Sequence, residues 1–185
     1  MPGSFHPLHD GHLKLMEVAT RICGDGYPCF EISAVNADKP PLSVSQIKDR
    51  IKQFEKVGET ITILLREHYG CPLTEWRARM LSTLMHSHSV LQNVKQLNPW
   101  FLLDHVTAPH HPKYYDGDYN MMQKILVGCK ETGCTFLVGG RNVDGAFKVL
   151  DDIDVPEELK GMFVSIQAEQ FRMDISSTEI RNRNH

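Results

Sequence analysis

The sequence predicts an α/β protein built on a Rossmann-like, doubly wound parallel sheet. Short apolar strand patterns alternate with amphipathic helix patterns along most of the chain, which is typical of βαβ units. A glycine-rich segment near the start runs directly into the first helix, as loops do at the carboxyl ends of parallel strands. The 185 residues contain no internal repeat and no low-complexity linker, so we expect one domain over residues 1–185.

The first half of the chain is predicted to contain two helices and two strands. The segment LKLMEVATRIC places its apolar residues on one face, which predicts an amphipathic helix that begins just after Gly11. The β-rich run at residues 29–35 predicts a strand, and NADKPP after it predicts a loop. The second helix begins at the N-cap candidate Ser43 and ends at Gly58. The apolar run ITILL, residues 61–65, predicts a second buried strand.

Residues 66–111 do not show the alternation of strand and helix patterns, which returns in the second half of the chain. Within that divergent segment, only WFLL has the character of a strand. The stretch YNMMQKILVGCKETG predicts a helix closed by glycine, and CTFLVGG predicts a strand that ends in a glycine turn. A short helix at VPEELKGM and a last strand at FVSI then lead to ISSTEIR, the start of a final helix.

Composition excludes several classes of function. The formal net charge of −3 argues against nucleic acid or an anionic membrane as the main partner. No apolar run approaches the length of a membrane span. The odd number of cysteines, five, forms no C-x-x-C pair and follows no secretory leader, so we expect a reducing, cytoplasmic compartment.

The opening segment GSFHPLHDGH has the composition of a phosphate-binding loop. Gly3 and Gly11 remove side chains where a phosphate or a base must approach the backbone. The helix that follows offers unpaired N–H groups and the positive end of its dipole. His9 and His12 can donate N–H groups to the same anion, which is most useful where negative charge grows in a transition state.

Two other interpretations of this loop stay open. His6, His9 and His12 could be metal ligands, but Pro7 and Gly11 are expected to break the helical geometry that would align them. No carboxylate or cysteine triad completes the set, so we expect no metal held by protein ligands. Alternatively, the segment is a glycine-proline turn with solvated histidines. The glycines, the following helix and a second motif favour the phosphate loop.

The second motif is DISSTEIR near the carboxyl terminus. Locally it is a capping box, with Ser176 as the N-cap and Glu179 three residues later, and many helices begin in this way without any catalytic role. The functional interpretation adds that Ser177 and Thr178 present hydroxyl and N–H groups at a helix N-terminus. Arg181, one turn inside, offers a guanidinium fork to a phosphate. Two such helix starts could clamp a triphosphate from both sides.

Together, the two motifs resemble those of the nucleotidylyltransferase superfamily, which carries an H-x-G-H or T-x-G-H loop and an I-S-S-T-x-x-R segment in this order. The second motif is similar to that of adenylyltransferases acting on nicotinamide or nicotinate mononucleotide and on phosphopantetheine. The stretches FEISAVNADKPPLS and GRNVDGAFKVLDDIDVPEEL resemble a cytidylyltransferase-like branch. The resemblance covers about residues 2–65 and 112–181.

The resemblance implies an activity and its partners. A phosphate of a small acceptor attacks the α-phosphorus of a nucleoside triphosphate and pyrophosphate leaves, with no covalent enzyme intermediate. ATP is implied more than CTP, with Mg²⁺ on the triphosphate. The protein supplies alignment and charge stabilisation.

The resemblance also assigns roles to residues. The implied catalytic residues are His9, His12 and Arg181. The implied nucleotide-binding residues are Gly3, Ser4, Phe5, Gly11, Ser176, Ser177 and Thr178. Basic or acidic residues that could bind the acceptor are Lys39, Arg50 and Asp104.

Two departures from the family pattern bear on activity. The family places a strand immediately before P-G-S-F, whereas Met1 stands at that point, so we expect a sheet that lacks its first strand and a chain that could repair the gap as a homo-oligomer. The segment 66–111 keeps Asp104 in LLDH but lacks the glycine and threonine of a G-x-D-T stretch. The alternative to an enzyme is therefore a vestigial nucleotide-binding or interaction subunit without transferase activity.

Overall fold

The computed structural model describes most of the chain outside its middle: residues 1–24, 28–34, 40–58, 61–64, 100–103, 117–131, 133–143 and 145–183. Its helices are α1 (Asp10–Cys23), α2 (Val44–Val57), α3 (Tyr119–Glu131) and α4 (Ser177–Arg183). Its strands are β1 (Pro2–Gly3), β2 (Phe30–Ser33), β3 (Ile61–Leu64), β4 (Trp100–Leu103), β5 (Thr135–Val138), β6 (Arg141–Val143), β7 (Ala146–Lys148) and β8 (Phe163–Ser165). Short 3-10 helices occupy Leu150–Asp152 and Glu157–Leu159.

The parallel strands confirm the predicted fold class. They form two three-stranded groups, in the orders β1-β2-β3 and β4-β5-β8, and every pairing in both groups is parallel. The register of the first group places Phe30 opposite Ile61, and that of the second places Phe136 opposite Phe163. Helices α1, α2 and α3 connect β1 to β2, β2 to β3 and β4 to β5, so the chain has the Rossmann-like α/β architecture that the alternation of patterns predicts.

A first strand of two residues, β1, is present, which corrects the expectation that the sheet lacks this strand altogether. Pro2 and Gly3 pair in parallel with Glu31 and Ile32 of β2. The ladder extends to Met1, whose carbonyl accepts from the Glu31 N–H at 2.8 Å and whose amino group donates to the Cys29 carbonyl at 2.7 Å. Sequence reasoning placed Gly3 in the loop, whereas hydrogen bonding along β2 makes Pro2–Gly3 a short strand.

Helix boundaries follow the local capping signals. In α2, the Ser43 hydroxyl accepts from the Gln46 N–H at 3.2 Å, and Gly58 ends the helix in the left-handed conformation at φ 71°, as predicted. Helix α1 begins three residues earlier than predicted, because His9 acts as its N-cap and Gly11 lies inside the first turn. The segment after Pro156 forms a 3-10 helix.

One hairpin was not predicted from the sequence, and part of the segment 66–111 lies outside the described residues. The strands β6 and β7 form an antiparallel hairpin that sequence analysis missed. WFLL forms β4, as predicted, while the rest of segment 66–111 lies outside the described residues. Of the helices in the described part of the chain, none combines the length and apolar character needed to cross a bilayer.

The core beneath the opening loop unites the two groups of strands. Phe30 and Ile32 of β2 are fully buried in one cluster with Leu137 of β5 and Ile166, which follows β8. Phe5 joins the same cluster, so the loop that follows β1 is anchored directly in the core. A second cluster packs α3 against β5, β8 and the 3-10 helices, around Met122, Leu126, Phe136, Leu159 and Phe163.

Candidate active site

The opening loop connects β1 to α1 and is shaped by a buried aromatic anchor. Phe5 has a φ of 43°, which is uncommon for a bulky residue, and its side chain is only 2% exposed. Its ring meets those of Phe30 and Phe54 edge-on, at centroid distances of 5.5 and 5.1 Å. A Cβ on Gly3 would lie 2.7 Å from Phe5 Cζ, so the glycine is needed for the ring to pack against the backbone.

Helix α2 holds the backbone of the same loop with two polar side chains. Arg50 Nε donates to the Ser4 carbonyl at 3.0 Å. One turn later, Gln53 Nε2 donates to the Phe5 carbonyl at 3.2 Å, and Gln53 Oε1 accepts from the Leu8 N–H at 2.8 Å. Three backbone groups that point out of the loop are therefore paired with one face of α2.

The two histidines of the motif lie side by side at the start of α1. His9 is the N-cap and His12 is the third helical residue, and their rings stack at a centroid distance of 3.7 Å and an interplanar angle of 22°. The His9 N–H donates to His12 Nδ1 at 3.3 Å. Because Nδ1 accepts this hydrogen bond, the proton of a neutral His12 ring is on Nε2, which can donate to a ligand.

His12 is neutral at physiological pH. Burial, then the neighbouring His9 and then Arg141 lower the pKa of His12 to about 3. The side chain is 8% exposed, which agrees with a ring that has lost most of its hydration. A neutral donor with a fixed tautomer is therefore available at the helix N-terminus, without the cost of a buried imidazolium.

Arg141 lies close enough to the histidine pair to act on its charge, and sequence reasoning did not single it out. It begins β6 directly after the Gly139–Gly140 turn that follows β5, and its charge contributes to the lowered pKa of His12. The signal was present, because a basic residue after a glycine turn at the carboxyl end of a parallel strand lies where such folds bind ligands.

The carboxyl-terminal motif fastens α4 to the opening loop. The Ser177 hydroxyl donates to the Pro7 carbonyl at 2.8 Å, and Arg181 Nη1 donates to the His6 carbonyl. Arg181 Nη2 also donates to Thr178 Oγ1 at 2.9 Å. The two motifs, more than 160 residues apart in sequence, therefore meet in one place.

The predicted capping box forms at the start of α4. The Ser176 N–H donates to Glu179 Oε2 at 3.2 Å, and the Glu179 N–H donates to Ser176 Oγ at 3.1 Å. Just before it, Ile175 packs against α1, since a Cβ on Gly11 would lie 2.8 Å from Ile175 Cγ2. Sequence reasoning explained Gly11 by a ligand, whereas the structure places a protein methyl group against it.

Positive charge collects around the loop. Arg50 is 6% exposed, and its pKa is lowered first by burial and further by the charge of Arg181, although Asp49 opposes both effects. In the part of the chain that the structure describes, no carboxylate lies within 4.0 Å of the guanidinium groups of Arg50, Arg141 or Arg181. Such unneutralised guanidinium groups suit a polyanionic ligand.

An open groove borders the exposed side of the start of α1. It has a volume of about 570 Å³ and lies between the first turn of α1, at Asp10 and Lys14, and the segment 168–173 that leads to α4. The groove is large enough for an organic group.

A family model described as cytidylyltransferase-like matches residues 1–183, which include both motifs and the elements between them. The chain belongs to the cytidylyltransferase-like family. This confirms the resemblance to the nucleotidylyltransferase superfamily and supports nucleotidyl transfer as the general chemistry. Comparisons with curated proteins and with solved structures gave no match.

The cytidylyltransferase-like chain brings most of the predicted site residues to one edge of its sheet. Loop residues and α4 residues meet through the contacts above, and Arg50 approaches the loop at Ser4. Lys39 and Asp104 lie outside the described residues.

The geometry of the histidines differs from the one that we expected when we considered a metal site. Gly11 does not break the helix, and His9 and His12 are aligned in its first turn. Among the residues that the structure describes, no three His, Cys, Asp or Glu side chains gather into a group that could hold a metal ion.

Proposed function

We propose that this cytidylyltransferase-like protein transfers an adenylyl or cytidylyl group from a nucleoside triphosphate to a small phosphate-bearing acceptor, such as nicotinamide or nicotinate mononucleotide, with release of pyrophosphate. The observation that carries the proposal is the junction of the two motifs. Ser177 and Arg181 hold the carbonyls of Pro7 and His6, so the two segments that carry the phosphate-type donors lie against each other.

The donors divide into groups that bind phosphate and groups that hold the site together. The Ser177 hydroxyl donates its proton to the Pro7 carbonyl, so Ser177 holds α4 against the loop and does not donate to phosphate. Thr178 Oγ1 accepts from Arg181, which leaves the Thr178 hydroxyl proton for a phosphate oxygen. His12 offers its Nε2 proton, and its neutral ring keeps this hydrogen bond directional.

Charge stabilisation is the main catalytic effect in this proposal. Attack on the α-phosphorus moves negative charge onto the departing pyrophosphate, and Arg181, Arg141 and the His12 donor lie around the loop to stabilise it. Mg²⁺, when bound with the triphosphate, supplies further charge neutralisation, and the triphosphate oxygens are ligands that this hard cation prefers. Arg50 is the described candidate for the acceptor phosphate.

The identity of the nucleoside rests on the second motif. ISSTEIR is similar to the segment of adenylyltransferases, which favours ATP over CTP. The groove between α1 and residues 168–173 is proposed to receive the nucleoside, since it borders Asp10, the residue directly after the N-cap His9.

The test is a pyrophosphate-release assay with ATP and CTP, each against nicotinamide mononucleotide, nicotinate mononucleotide and phosphopantetheine. The proposal expects release that requires both a triphosphate and an acceptor. Arg181→Gln should lose this release, whereas Arg183→Gln, the matched change on the exposed end of α4, should retain it. Triphosphate binding without release for every acceptor would instead support the vestigial nucleotide-binding subunit.

A further inference from the structure

One side chain outside both motifs closes the opening loop. Gln53 lies on the third turn of α2, and its carboxamide pairs with the Phe5 carbonyl at 3.2 Å and with the Leu8 N–H at 2.8 Å. Phe5 and Leu8 flank His6 and Pro7, so the carboxamide bridges the two ends of a four-residue turn. In effect, Gln53 supplies the donor and the acceptor that a neighbouring strand would supply.

We propose that Gln53 is a positioning residue for the transfer reaction, which sets the histidine pair by fixing the loop on both sides of His6 and Pro7. The inference rests on the proposed function and adds to it a residue that makes no phosphate contact. Gln53 acts through the backbone: Leu8 directly precedes His9, whose N–H fixes the ring of His12.

The carbonyls that α4 uses lie within the bridged turn. Arg181 holds the His6 carbonyl and Ser177 holds the Pro7 carbonyl, so a shift of the turn moves the α4 donors and the imidazoles relative to each other. Phosphoryl-type transfer depends mainly on alignment, and a displacement of about 1 Å can lower the rate by about 100-fold. A change at Gln53 should therefore reduce kcat more than triphosphate affinity.

Replacement of Gln53 by glutamate distinguishes a positioning role from a purely structural one, because only the positioning role predicts that kcat recovers at lower pH. The carboxylate of Gln53→Glu can accept from the Leu8 N–H but places an unprotonated oxygen against the Phe5 carbonyl, where the amide donated. Protonation at lower pH restores an O–H donor at that position. Burial near a carbonyl raises the pH at which this proton binds, so rescue falls within the range of an ordinary assay.

The assay measures kcat and KM for the triphosphate between about pH 5.5 and pH 8. We expect kcat of Gln53→Glu to be lower than wild type by about 10- to 100-fold at the upper limit, with KM changed by less than about threefold. The ratio of variant to wild-type kcat should rise at least about fivefold toward the lower limit. His12, with a pKa of about 3, stays neutral throughout this range.

Two further variants separate this effect from charge and from folding. Lys56→Gln makes the same change in net charge at an exposed position of α2 and should follow wild type at every pH. Gln53→Met removes both hydrogen bonds without adding a charge and should lose kcat at every pH with no rescue. Wild-type kcat in both Gln53 variants, or a flat pH ratio for Gln53→Glu, would overturn the proposal.

A measurement that does not depend on turnover separates failure of the Gln53 proposal from failure of the proposed transfer function. The ring nitrogens of His9 and His12 can be followed by NMR in the free protein. Gln53→Glu should shift their resonances near pH 8 and return them toward wild type at lower pH, even if no acceptor supports transfer. Unchanged ring resonances would show that the carboxamide does not set the histidine pair.

Discussion

The backbone N–H of His9 donates to Nδ1 of His12 at 3.3 Å while the two rings stack at 3.7 Å. The spacing of three residues in the motif has a direct structural cause, because one histidine is the N-cap and the other is the third residue of α1. The N-cap geometry fixes the tautomer of His12, and burial keeps it neutral. This pair therefore provides the best-defined donor of the site, and the first two predictions concern it.

Replacement of His12 by alanine should lower kcat far more than triphosphate affinity. A donor that matches charge developing in the transition state contributes mainly to kcat, and removal of one such donor costs about 100- to 1,000-fold. Steady-state kinetics and equilibrium triphosphate binding on the same preparation measure both effects. A raised KM with unchanged kcat would show that His12 only binds the ground state.

Acidification should destabilise the fold through His12. Its pKa is about 3 in the folded chain and 6.5 for an unperturbed histidine, so between these values the unfolded chain binds a proton that the folded chain does not. The free energy of unfolding should therefore fall as pH drops below about 6.5, by up to about 1.4 kcal/mol per pH unit. Urea titrations at several pH values should show that the free energy of unfolding falls less steeply with decreasing pH in His12→Asn than in wild type.

The matched control for this slope is His6→Asn, which changes an exposed histidine of the same loop. Its urea midpoints should follow those of wild type as pH falls. Equal slopes in wild type and His12→Asn would mean that His12 is not the group that resists protonation in the folded chain.

The geometry of Arg181 predicts that lysine cannot replace it. The guanidinium makes two contacts in different directions, to the His6 carbonyl and to Thr178 Oγ1, and a single ammonium cannot reproduce that fork. Arg181→Lys should weaken triphosphate binding by about tenfold and lower the free energy of unfolding by about 1 kcal/mol. Calorimetric titration and urea unfolding measure these quantities.

Arg183→Lys is the control for Arg181→Lys, because Arg183 is exposed on the same helix. It should leave both triphosphate affinity and stability at wild-type values. If Arg181→Lys kept full triphosphate affinity, the planar guanidinium would not be required and the positive charge of Arg181 alone would explain its role.

Local signals in the sequence were sufficient for much of this fold. Ser43 and Gly58 delimit α2, and Ser176 with Glu179 forms a capping box, because each pair acts within a few residues of chain. The Asp-Gly pair at Gly145 also marks the β6–β7 hairpin by a recognised local rule, although sequence analysis passed over it.

The contacts that assemble the site were less accessible to sequence reasoning. Gln53 reaches Leu8 across 45 residues, and no local pattern distinguishes it from the solvent-facing polar residues of α2. The same holds for Met1 and Pro2, whose strand exists through hydrogen bonds to β2. Long-range pairing decided these positions, and the local sequence carries no signal for it.

The junction between α1 and the segment before α4 gives the last prediction. A Cβ on Gly11 would lie 2.8 Å from Ile175 Cγ2, a distance that forces one of the two segments to move. Gly11→Ala should therefore lower the free energy of unfolding by about 1–3 kcal/mol and reduce triphosphate affinity, since α4 carries Thr178 and Arg181. Thermal unfolding and calorimetric titration measure the two effects.

A second substitution at the contact separates crowding from helix propensity. Ile175→Ala removes the methyl group that the new Cβ would meet, so Gly11→Ala combined with Ile175→Ala should recover part of the triphosphate affinity lost in Gly11→Ala. Gly128→Ala, at a helical glycine of α3 with open space around its Cβ position, should stabilise the protein by about 0.5–1 kcal/mol. If Gly11→Ala instead stabilised the protein as Gly128→Ala does, the close packing of α1 against Ile175 would be disproved.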